Sequence, residues 1–90
     1  MNVNKVRIET SFQIDSHLNA EEVFKALADS LFDADSSSSK LQDADVFAKS
    51  HEFTLAIVGL GETFDSAVSV ATEAIRAAIE DSGVKILTHA

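Results

Sequence analysis

The sequence predicts an α+β domain, and three observations carry the prediction. Apolar residues recur at every second position near the N-terminus, at helical spacing in two later stretches, and as a dense β-branched and aromatic run between those stretches. The chain has 90 residues, which fit one domain spanning residues 1–90 and leave no room for a second core.

The first strand is expected over Val6 to Ile14, where Val6, Ile8, Phe12 and Ile14 alternate with Arg7, Glu9, Ser11 and Gln13. Period two describes a strand with one wet face. Asn19, followed three residues later by Glu22, is a capping-box variant that opens a helix. Val23, Leu27 and Leu31, flanked by Phe24 and Ala28, carry that helix to about Phe32. DADSSSSK, residues 33–40, then reads as a flexible Ser-rich surface loop.

Leu41 to Ser50 alternates weakly, with Ala44, Val46 and Ala48 set against Asp45, Phe47 and Lys49, and is assigned a short edge strand. Charged side chains suit an edge because they discourage pairing with another chain. Glu52 to Val58 is a stronger strand, expected to stop at Gly59 and Gly61. Phe53, Leu55 and Ile57 share one face and Thr54, Ala56 and Val58 the other, so this strand should be central and covered on both sides.

Glu62 or Thr63 opens a second helix to about Ser82, with Phe64, Val68, Ala71, Ile75, Ala78 and Ile79 at spacings of three and four. Gly83 should end it in the left-handed conformation, with Val84 folding back on the last turn and a final strand from Val84 to Thr88. The order βαββαβ matches a ferredoxin-like plait: an antiparallel four-stranded sheet with both helices packed on one face and strands one and three central. A rival arrangement loses the second strand and keeps the same core.

Composition excludes more than it assigns. Fifteen Asp plus Glu against 7 Lys plus Arg give a formal net charge of -8, which opposes binding to phosphate backbones; no nucleic-acid partner is expected. The chain has no Cys, so disulfides, thiolate chemistry and Cys-based metal sites are excluded. No apolar run is long enough to span a bilayer and Met1 to Thr10 lacks the core of a secretory signal, so no membrane partner and a cytoplasmic location are expected.

The chemical motifs are weak. His17, His51 and His89 have no neighbours at metal-ligand spacing. Asp33, Asp35 and Ser37 imitate the start of a calcium loop, but Ser38 stands where glycine is needed and Ala44 where a glutamate is needed. GLGETF is not the dinucleotide fingerprint, and Glu62 and Asp65 put negative charge where a phosphate would sit. The expected outward residues Arg7, Glu9, Ser11, Gln13, Thr54, Ala56 and Val58 include none of the aromatics an RNA-binding plait needs for stacking. No catalytic residues, cofactor or metal site are therefore expected.

Two binding surfaces remain. Thr54, Ala56 and Val58 form an apolar strip on the sheet face away from the helices, a candidate self-association face for a homodimer or a protein partner. Gly59, Gly61, Glu62 and Thr63 form a candidate ligand loop. The leading expectation is a non-enzymatic binding or assembly module that associates through the open sheet face. The alternative is a small-molecule-sensing regulatory domain with its ligand at the 59–63 loop or at a dimer seam. An enzyme using carboxylates and a histidine from two subunits ranks third. Eleven acids against Lys25, Lys40 and Lys49 between Asp15 and Asp65 imply that a charged partner would be basic.

Overall fold

β1 (Asn4–Ile14) and β3 (Glu52–Gly61) run antiparallel through the middle of the sheet, from Asn4 opposite Gly61 to Gln13 opposite Glu52. β2 (Leu41–Lys49) pairs antiparallel with the other side of β3. A four-residue segment, β4 (Ile86–His89), lies antiparallel to Phe12–Ile14 of β1, so the order is β2-β3-β1-β4. The computed structural model describes residues 3–83 and the backbone of 86–89; the expected packing of Val84 on the last helical turn lies outside them.

Helices α1 (Ala20–Ser37) and α2 (Phe64–Ser82) pack on one face of the sheet. Between them lies the core: Phe12 and Ile14 of β1, Phe53, Leu55 and Ile57 of β3, Leu27 and Leu31 of α1, and Ala71, Ala74, Ile75 and Ala78 of α2. Phe12 and Phe53 are register partners, are fully buried, and stack with ring centroids 6.0 Å apart. The fold is thus α+β, two helices on an antiparallel sheet.

The helix starts follow their capping residues. Asn19 accepts from the N–H groups of Glu21 and Glu22, and the Thr63 hydroxyl accepts from Ser66 N. Gly83 ends α2 at φ 70°, and its N–H donates to the Glu80 carbonyl.

Two expectations need correction. Residues 33–37 are helical, so the Ser-rich loop shrinks to Ser38–Lys40. Ala34 extends the stripe of Leu27 and Leu31 by one turn and packs on the core, and that burial outweighs the poor helix propensity of the surrounding Asp and Ser. β3 does not stop at Val58; it continues through Gly59 to Gly61. Those glycines admit α2 rather than turn the chain, because a β-carbon on Gly59 would overlap the Ala67 carbonyl oxygen. β2 is regular except at Asp43 and Ala44, which together oppose the single residue Ile57 in a β-bulge, with Asp43 at φ 55°.

Candidate functional site

The sheet face opposite α1 and α2 has no described element packed across it. Strand alternation and register place Thr54, Ala56, Val58 and Leu60 of β3 on it. They lie between Lys5, Arg7, Glu9, Ser11 and Gln13 of β1 and Gln42, Asp45, Phe47 and Lys49 of β2. Ala56 is nonetheless 0% exposed and Val58 only 8%. Their register neighbours are Glu9 with Asp45 and Arg7 with Gln42, larger polar side chains that flank the short ones on both sides. The exposed apolar group here is Phe47, 55% accessible beside Thr54.

Two pairs of polar groups on this face meet each other. Arg7 forms an ion pair with Glu9, and the Ser11 and Thr54 hydroxyls are hydrogen-bonded at 2.8 Å. Its charged residues on β1–β3, with Glu52 included, are the cations Lys5, Arg7 and Lys49 and the carboxylates Glu9, Asp45 and Glu52. These six charges on β1–β3 balance, with the bulged Asp43 left aside, on a chain of net charge -8.

A pocket of about 550 Å³ opens at the end of the sheet where β3 runs into α2. Val3, Leu60 and Val70 supply apolar lining, and Ser39, Lys40, Gly61, Glu62 and Ser66 the polar part. Two hydrogen bonds frame it: Leu60 N donates to the Lys40 carbonyl at 2.8 Å, and Asn4 Nδ2 donates to the Glu62 carbonyl at 3.0 Å. Of the expected ligand loop, Gly61 and Glu62 line this pocket. Gly59 is buried under α2, and Thr63 is engaged as the cap of that helix. Val3, Ser39, Lys40 and Val70 come from three other segments, which no local motif could have joined.

The opposite end of the sheet gathers histidines. His17 Nδ1 lies 2.8 Å from an Asp15 carboxylate oxygen that also accepts the His17 backbone N–H. Those two bonds hold the Asp15 carboxyl below the usual carboxylate range. His51 Nε2 donates to the Leu18 carbonyl at 2.9 Å, and the Ile14 N–H donates to the His51 carbonyl. His51 also borders a shallower hollow of about 360 Å³ with Lys49, Ser50 and Glu52. The His17 side chain is 93% exposed and that of Asp15 50%, so the Asp15–His17 pair stands largely in water. Among the described residues no group of three His, Cys, Asp or Glu could hold a metal ion. No described helix is long and apolar enough to cross a membrane.

No protein-family model matches the sequence, and no curated protein matches it.

Proposed function

We propose that this chain is a non-enzymatic binding or assembly module, a ferredoxin-like plait with Ile86–His89 as its fourth strand, that self-associates through the open sheet face. The supporting observation is the balance of the register-placed charges on β1–β3 of that face, with Arg7 paired to Glu9 within it. Two copies of a chain carrying -8 repel each other, and the repulsion is least where each presents balanced charge. Arg7 and Glu9, already paired with each other, can be desolvated together at less cost than two lone charges. Phe47, 55% exposed among Thr54, Ala56 and Val58, supplies the apolar anchor.

Sedimentation equilibrium tests this reading. A dimer is expected at micromolar concentration and a monomer for Phe47→Asp, whose site is exposed enough to leave folding intact. A wild-type monomer at high micromolar concentration would overturn it.

The pocket favours a second reading, a regulatory domain that senses a small molecule beside Gly61 and Glu62. Its volume of about 550 Å³ falls in the range of ligand sites, and its walls are tied together by hydrogen bonds before any ligand arrives. A thermal-shift screen against metabolites tests it, with a saturable rise in the melting temperature as the expected result. Substituting Gly61 would not serve as a control, because a β-carbon there would stand 2.7 Å from Ala67 N.

A further inference from the structure

We infer that the pocket at the end of β3 binds a short apolar peptide with both termini free, a zwitterion carrying aliphatic side chains. The inference rests on the small-molecule reading of this pocket and specifies the ligand. Three properties of the lining select it. Lys40 and Glu62 both line the pocket, both are exposed, and neither forms an ion pair with another described residue. The site therefore offers one cation and one carboxylate not spent on each other or on a neighbour, complementary to a carboxylate and an ammonium on one ligand. Val3, Leu60 and Val70 line the same pocket, a surface suited to aliphatic side chains.

The third property is charge at long range. A chain of -8 repels a free anion before it reaches Lys40, and a simple cation has many competing acidic sites on the surface. A zwitterion has no net charge, so only a site that places both signs around an apolar floor distinguishes it from solvent. The volume of about 550 Å³ accommodates two or three residues, whereas a single amino acid would leave most of it to water.

The test is a titration of the whole chain with the dipeptide Leu-Leu, followed by backbone amide NMR. Saturable shifts are expected at Lys40 and from Leu60 to Ser66. N-acetyl-Leu-Leu, which lacks the ammonium, and Leu-Leu-amide, which lacks the carboxylate, should each bind about tenfold more weakly, and Gly-Gly should not bind. Lys40→Gln should reduce affinity for Leu-Leu about tenfold but leave the affinity for Leu-Leu-amide nearly unchanged. Glu62→Gln should do the same for Leu-Leu against its N-acetyl form. If Leu-Leu gives no saturable shift while another metabolite from the screen moves the same amides, the ligand class is wrong and the pocket reading stands. If nothing moves those amides, both are overturned. Shifts scattered over the acidic surface, or binding indifferent to both substitutions, would also overturn the inference.

Discussion

Gly59 of β3 lies against Ala67 of α2 so closely that a β-carbon on the glycine would overlap the Ala67 carbonyl oxygen. The obstacle is backbone, which cannot rotate aside, and the same β-carbon would press on Ala71 and Val70 at 3.0 Å. The small residues Ala67, Ala71, Ala74 and Ala78, all buried, make this approach possible along the length of α2. The alanine-rich face of the helix is therefore its sheet-packing face, not a docking stripe for another helix.

Gly59→Ala should consequently destabilise the fold by about 3 kcal/mol, the upper part of the range for overpacked cores. Gly83→Ala provides the contrast. Nothing lies within 4 Å of its would-be β-carbon, and only the φ of 70° is strained, so about 1–2 kcal/mol is expected. Urea denaturation midpoints would rank the two; equal losses would show that close helix–sheet packing is not what Gly59 provides.

Phe12 and Phe53 close the core beneath the helices as a stacked cross-strand pair inclined by 14°. Either substitution to alanine should cost about 3–5 kcal/mol, because both rings are fully buried. The double mutant should fall short of the sum by about 0.5–1.5 kcal/mol, the worth of the ring–ring contact itself. A cycle that closes to zero would mean that each ring packs independently.

How legible these features were in the sequence depended on whether the signal was local. The alternation of β1 and the capping residues Asn19 and Thr63 each declare an element within a few positions, and each element forms there. Gly59 and Gly61 look like strand terminators in a linear reading, because what requires them is the distant helix α2. Asp33–Ser37 looks like a loop by composition, yet Ala34 reaches the core and Asp35 Oδ2 accepts the N–H of the bulged Ala44. The apolar strip of β3 was visible, but its flanking by Arg7, Glu9, Gln42 and Asp45 depends on strand register and a bulge. The pocket joins the N-terminal segment, the α1–β2 loop, β3 and α2, a conjunction that exists only once the chain has folded.

Asp15 gives the pH dependence a sign. Its carboxyl is held low first by the His17 backbone N–H, then by the His17 ring, with smaller charge contributions from His17 and His51. A carboxyl whose folded pKa lies below its unfolded value of about 3.9 contributes stability that is fully present above that value. The contribution is lost as pH falls through the folded pKa. Carbon-detected NMR titration should find the Asp15 midpoint below that of an unperturbed aspartate. His17→Ala should raise it only part of the way, because the backbone donor remains. A complete return to the ordinary value would assign the whole effect to the imidazole.

The Arg7–Glu9 pair tests whether charge balance, rather than any particular contact, lets the sheet face self-associate. Both side chains are about half exposed, so exchanging them should alter folding stability little. Arg7→Glu alone leaves the face with a net negative charge and sets a second carboxylate beside that of Glu9. Dimerisation should weaken about tenfold at low ionic strength and partly recover as added salt shortens the range of the repulsion. Combining Arg7→Glu with Glu9→Arg restores balance with the charges transposed, and association should return to near the wild-type level. Sedimentation velocity across a salt series distinguishes the cases. If the transposed double variant stays monomeric while Phe47 and the rest of the face are intact, the original geometry of the pair is required and charge balance is not the governing property. If Arg7→Glu associates as tightly as the wild type, the two copies meet through another surface.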